Sequence, residues 1–361
     1  MNMKMDRSKY HCNRINGLGL IEIMIALALG VIIMLGVTEI ATQNSLIRYE
    51  LERTGRQIES AAYALRVIEN DINSSDFWGE VGDTPRWSPT MPSLPTLPAS
   101  GLPPVCAGLN ADMDIARGEL WQTVGVPVQG QEATVGGNCI TTVKSGTEFI
   151  AVRRASSCAL GTLPSGTCDS EGTDFHVQIN ACFDPADGAR LPADLYIEAG
   201  GSGLSALSGE TRDCVSGVLA PRYRILSSVY FVNDGAGVDD DDQLRRARLE
   251  GSGAGSAYSQ VTLVEGVELL RFEYGLDNDG DGQIDEIESA PIDAQWGDVV
   301  MVRIYLVVRN LEPSPGYTDD RAYPNIAGAA YVVPNDVKGH RRQLYTRTVG
   351  LRNVAGRREQ Q

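Results

Sequence analysis

The chain has 361 residues, 42% of them hydrophobic, and a formal charge of −16 from Lys+Arg 31 against Asp+Glu 47. It lacks the basic surface that neutralises phosphates, so nucleic acid is not an expected partner. Ordinary hydrophobicity with Gly 39 and Pro 17 excludes wholesale disorder and points to a packed core with many turns and long loops.

Residues 1–17, MNMKMDRSKYHCNRING, carry Lys4, Arg7, Lys9 and Arg14 against Asp6, and from Leu18 to Val37 the only ionisable group is Glu22. A run of that length, at about 1.5 Å per residue, makes roughly 30 Å of helix, enough to cross a bilayer core. The basic leader is expected on the cytoplasmic side and the rest outside. Thr38, Glu39 and Gln43 follow without a small-residue cleavage site, so the apolar segment is expected to be retained. A plain anchor leaves Glu22 unexplained, because a carboxylate in hydrocarbon is costly unless paired or interfacial. The positive end of the helix is one partner. A free amine, made by cutting the chain before Leu18, is another.

Gly17 followed by Leu18, with Leu20, Ile21 and Glu22, resembles the type IV prepilin signal. Leu18 and Gly19 depart from the usual phenylalanine and threonine. The resemblance implies that a membrane prepilin peptidase cleaves after Gly17, that Leu18 becomes the methylated terminus, and that Glu22 meets the terminal amine of a neighbouring subunit during assembly. A signal anchor with an incidental interfacial charge is the alternative.

From Thr38 to Ser75, Ile40, Ile47, Leu51, Ile58, Ala62, Leu65, Ile68 and Ile72 recur at mostly helical spacing, which predicts an amphipathic helix continuing the membrane one to about Ser75. Seven prolines between Gly79 and Cys106 then predict a long connecting loop, pinned by Trp78 and Trp87. Beyond Cys106, six segments read as strands: Thr147 to Arg153, Phe175 to Cys182, Tyr223 to Val232, Val261 to Tyr274, Asp298 to Val308 and Gln343 to Leu351. No helical pattern alternates with them, which favours an antiparallel sheet.

Cys12 lies in the leader; the mature part keeps Cys106, Cys139, Cys158, Cys168, Cys182 and Cys214. With three His and no C-x-x-C, these read as disulfides of an exported domain rather than a zinc or redox site. Sequential pairing is the expectation, with Cys158 and Cys168 closing a short loop, although the sequence does not choose among the fifteen connectivities open to six cysteines.

The sharpest chemical motif is DNDGDGQIDEIE. Asp277, Asp279, Asp281, Gln283 through its carbonyl, Asp285 and Glu288 stand at ligand positions 1, 3, 5, 7, 9 and 12 of an EF-hand type loop, with Gly282 at the sharp turn. Calcium is the expected ion, and Ile284 would anchor the loop to the core. An acidic hairpin turn is the bland alternative. The run Asp239 to Asp242 lacks the glycine and closing glutamate and reads as a solvated turn. Nucleophile-elbow, P-loop and H-E-x-x-H signatures are absent from the sequence, and His176 and His340 lack partners at catalytic spacing, so an enzyme is not expected.

The runs LVEGVELLRFEYGLDNDGDGQID, WGDVVMVRIYLVVRN and RRQLYTRTVGLRN resemble the PilW family of minor pilins, over the N-terminal signal and helix and most of residues 223–354. The implied fold is α+β and type IV pilin-like: a long N-terminal α-helix, membrane half plus amphipathic half, packed on an antiparallel β-sheet domain with long loops. The expected divisions are a leader (1–17), a helix (18–75, transmembrane about 18–37), a Pro-rich connecting loop (76–118) and a disulfide-containing β-rich periplasmic domain (119–361). The resemblance implies a single-pass inner-membrane protein that passes into the pilus. Its expected partners are other minor pilins, the major pilin, the prepilin peptidase and the inner-membrane assembly platform. It would help prime assembly near the pilus tip. A minor pseudopilin of a type II secretion system and a calcium-dependent pilus-tip adhesin are the alternatives.

Overall fold

A computed structural model describes residues 19–79, 102–110, 112–132, 139–160, 172–180, 182, 195–200, 203, 206–211, 213–235, 242–252 and 255–358. Gly17, Leu18, Trp87, Cys168 and Asp239–Asp241 lie outside them, as does most of the Pro-rich loop. The chain forms two compact units, Met1–Thr54 and Gly55–Gln361.

The helix expected from Leu18 to about Ser75 is present as α1, Leu20–Asn73. In the first unit its apolar run is long enough to cross a membrane, and none of that window is buried. In the second unit the buried positions are Gln57, Ala61, Ala64, Ile68 and Ile72. The expected stripe is therefore corrected: Ile58 is 48% exposed, and the neighbouring alanines carry the contact. Small side chains let a helix approach a sheet closely, so alanine does the packing that the eye assigns to isoleucine. Ile68 and Ile72, fully buried, contribute about 1.5–3 kcal/mol each.

The strands are β1 Val128–Glu132, β2 Glu148–Ala159, β3 Phe175–Ile179, β4 Leu195–Ala199, β5 Arg222–Asn233, β6 Gln243–Ser252, β7 Gly255–Glu265, β8 Val267–Leu276, β9 Glu286–Glu288, β10 Val299–Arg309, β11 Tyr323–Ile326, β12 Ala329–Tyr331 and β13 Arg342–Gly350. All six expected strands are present, and every pairing is antiparallel. The segment expected as one strand from Val261 to Tyr274 is two, β7 and β8, divided at Gly266. Gly266 has φ +79°, and a Cβ there would lie 2.7 Å from the Arg309 carbonyl oxygen, so the sequence needs glycine for the chain to change sheets. Two further helices, α2 Met113–Gln122 and α3 Arg352–Arg358, were not expected; α2 crosses the boundary anticipated at 118–119.

In the seven-stranded sheet, β2 lines one edge of β5, while β6 and β3 share the other. The four-stranded sheet has the order β13-β10-β8-β9. One core joins Ala61, Ala64, Ile68 and Ile72 of α1 to Phe272, Tyr274, Val302, Ile304 and Leu306 of the smaller sheet and Ile150, Tyr230, Val232 and Leu244 of the larger. The opposite face of the larger sheet is covered partly by α2 and Trp78. Disulfides join Cys106 to Cys139 and Cys182 to Cys214, as sequential pairing anticipates. Cys158 is also disulfide-bonded.

Candidate functional sites

The acidic loop is the connection between β8 and β9. Leu276 pairs with Glu286 and Tyr274 with Glu288, so the loop is a hairpin rather than the helix-flanked form. Asp277 leaves β8 fully buried: its Oδ1 accepts from the Gly280 amide (2.7 Å), and its Oδ2 from the Gly282 amide (3.0 Å) and Arg358 Nη1 (3.0 Å). Gly280 and Gly282 both have φ +85°, which aims those amides inward at little steric cost. Asp279 accepts from the Asp281 amide (3.2 Å), Asp281 from the Gln283 amide (2.7 Å), and Asp285 from the Asn278 amide (2.8 Å).

Three of the anticipated ligands come together: one oxygen each of Asp277, Asp279 and Asp285 lie within 4.8 Å of one another. That spacing suits a hard cation bound at about 2.4 Å by each oxygen. Asp281 and Glu288 are not in the group. Glu288 is carried along β9 because pairing resumes at Glu286, and a strand advances about 3.3 Å per residue instead of folding back over the loop. Gln283 lies in the turn. Ile284, expected to anchor the loop in the core, is 46% exposed and lies over Gly275.

Sequence reading missed Arg358. From α3 its Nη1 also donates to the Asp277 carbonyl (2.7 Å), and its Nη2 to Gly297 O (3.0 Å) and Asp298 Oδ1 (2.6 Å). Burial pushes the Asp277 carboxyl up, but the Arg358 guanidinium and the Gly282 and Gly280 amides outweigh it and hold the group below the ordinary carboxylate range. Arg358 supplies this cation from 81 residues away, a separation that local spacing does not reveal.

A second charged group is closed. Glu268 of β8, 1% exposed, accepts from Arg342 Nε (2.5 Å) and Nη2 (2.8 Å) and from the Tyr331 hydroxyl (2.8 Å), and pairs with Arg309 at 3.2 Å. Asp319 takes a two-pronged contact from Arg321 at 2.8 and 2.9 Å. Its carboxyl, pushed up by burial, is held down more strongly by Arg321 and Arg342. The signal in the sequence is a charge inside otherwise apolar strands, as in VELL and LVVR. Asp242, expected in a solvated turn, instead pairs with Lys144 at 2.6 Å with its side chain 14% exposed.

Glu22 lies exposed in the first turn of α1, its amide donating to Gly19 O at 3.0 Å. His176 is buried with Nδ1 2.9 Å from Asp174 O, and His340 Nδ1 is 2.7 Å from Asn310 O.

Residues 229–353 match the PilW family, described as Type IV Pilus-assembly protein W. Among solved structures the chain is similar to a type IV-like pilin from Thermus thermophilus, at 14% identity and a TM-score of 0.26, covering 59% of this chain and 82% of that one. No curated protein matches the chain.

Proposed function

We propose that this chain, which carries a PilW-family domain over residues 229–353, is a minor pilin that helps prime type IV pilus assembly from a position near the tip. The family match is the observation that carries the reading, and it describes a structural subunit rather than a catalyst. Cleavage after Gly17 and methylation of Leu18 would place Glu22 five residues into the mature chain, at the positive end of α1, where it meets the amine of a neighbouring subunit. The chain then begins as a single-pass inner-membrane protein with its β-rich domain in the periplasm, alongside the assembly platform, and enters the fibre with other pilins.

The intact mass of the protein extracted from membranes tests processing: the expected value is Leu18 to Gln361 plus one methyl group, less the hydrogens lost to three disulfides. Retention of residues 1–17 would remove the pilin reading. Glu22→Ala is expected to leave synthesis and cleavage intact and to reduce incorporation into pili; normal incorporation would count against an assembly role.

The acidic loop is proposed to hold calcium, with Asp277, Asp279 and Asp285 as the side-chain ligands that converge. Calcium is then expected to raise the melting temperature of the full chain in detergent through binding to the folded state. Asp279→Ala with Asp285→Ala should abolish that rise. No rise in the unmutated chain would remove the ion from the proposal.

A further inference from the structure

The face of the seven-stranded sheet that contributes Tyr230, Val232 and Leu244 to the core does not end where the core ends. Directly paired residues of antiparallel strands share a face, and residues two apart on a strand do also. Arg246 pairs with Tyr230, Arg248 with Ser228, and Arg154 with Leu226, while Arg224 lies two residues beyond Leu226. Four arginines from three strands therefore stand together in a chain whose formal charge is −16.

Two are neutralised within the fold. Arg154 pairs with Asp71 of α1 at 3.0 Å, and Arg224 with Asp174 at 3.1 Å. The other two have no carboxylate within ion-pair distance among the described residues. The Arg246 guanidinium is hydrogen-bonded to the Tyr230 hydroxyl, which itself donates to Asp71 at 2.5 Å, and the buried Arg246 Nε has no hydrogen-bond partner. The Arg248 side chain makes no hydrogen bond or ion pair among the described residues, while its backbone is held in β6 between β5 and β7. Burial, with Arg224 and Arg246 as like-charged neighbours, pushes its guanidinium below the ordinary range, against the weaker opposing pull of Asp71 and Asp174. Half-buried guanidiniums left without a carboxylate are unfavourable in the isolated subunit, and a partner's carboxylates would relieve that.

We propose that Arg246 and Arg248 form a docking surface for an acidic segment of another subunit in the fibre; the proposal rests on the reading of the chain as a pilus subunit. The surplus is a local patch and not the continuous basic track that a nucleic acid requires. The charge of −16 works against a second copy of this chain as the partner through long-range repulsion. An acidic segment on a different pilin meets both conditions.

Val261, 43% exposed, pairs with Arg246 and so stands beside the patch. A benzophenone side chain placed at Val261 in the full-length protein, expressed in cells assembling pili, is expected to cross-link to an Asp/Glu-bearing peptide of another pilin. R246E/R248E should lower that product and recovery in pili about tenfold or more, at unchanged protein level and melting temperature, as loss of close charge pairs implies. R246K/R248K, which keeps both charges, should be recovered at close to the wild-type level. R246Q/R248Q, which removes the charges without reversing them, should lower recovery severalfold and carries the test if the reversed variant does not fold; wild-type recovery of a folded R246Q/R248Q protein would overturn the proposal. Cross-links confined to this chain, lipid or nucleic acid would overturn the proposal. So would reversed-charge protein recovered at the wild-type level, which leaves the pilin reading standing. Absence of the unmutated protein from pili and from pilin complexes would overturn both.

Discussion

Glu268 and Asp277 are both fully buried carboxylates on or beside β8, and each meets an arginine from near the C-terminus, yet they belong to different kinds of site. Glu268 is surrounded by Arg342, Arg309 and Tyr331 and has no capacity left for a ligand. Asp277 opens onto Asp279 and Asp285, exposed acids that each accept a single backbone amide. Burial of a charge does not by itself mark a functional site. What distinguishes the two is whether the fold has consumed the acceptor capacity of the whole group.

The strongest test of the closed group is Glu268→Ala, which strands Arg342 and Arg309 and is expected to cost about 3–5 kcal/mol in urea unfolding. Removing Arg342 as well should cost less than the sum of the two single changes; an additive result would dissolve the group. At the open loop, Arg358→Met removes four hydrogen bonds and is expected to cost about 1.5–3 kcal/mol. It should also speed amide exchange of Gly280 and Gly282; unchanged exchange would show that the loop holds itself.

Acid acts on both groups in the same direction. Asp277 and Asp319 have folded-state pKa values below their unfolded ones, so they bind fewer protons when folded. Their contribution is whole above about pH 5, and it is lost as pH falls below the unfolded value of about 3.9 and through the folded values. Asp319→Asn should flatten that part of the stability profile; a slope equal to wild type would remove Asp319 from the account. The smallest effect belongs to the exposed part of the loop. Asp279→Asn without calcium should change stability by no more than about 0.5 kcal/mol, and a larger loss would mean that Asp279 is structural.

Much of the fold was legible because its signals are local. The run after Gly17, the β-branched strands and the D-x-D-x-D-G spacing each announce themselves within a dozen residues. The misses share a physical cause. β6, QLRRARLEGS, is absent from the expected strands because Arg246 and Arg248 stand on the same face as Leu244 and break the apolar alternation that marks a strand. Gln57 is absent from the expected apolar stripe, but it is 6% exposed and its Nε2 donates to Val308 O at 2.5 Å, closing the end of a strand 251 residues away. Glu288 reads as a ligand because spacing carries no information on where strand pairing resumes. Distant partners decide all three.

Gly266 has a mechanical consequence. Its amide donates to Asp242 O beside β6 of the larger sheet, while its carbonyl accepts from the Arg309 amide on β10 of the smaller, both at 2.8 Å. One peptide unit on each side of a single α-carbon thus rivets the two sheets together. Separating the smaller sheet from β6 at this point would break both hydrogen bonds at once, so the joint couples the two sheets of the β-rich domain.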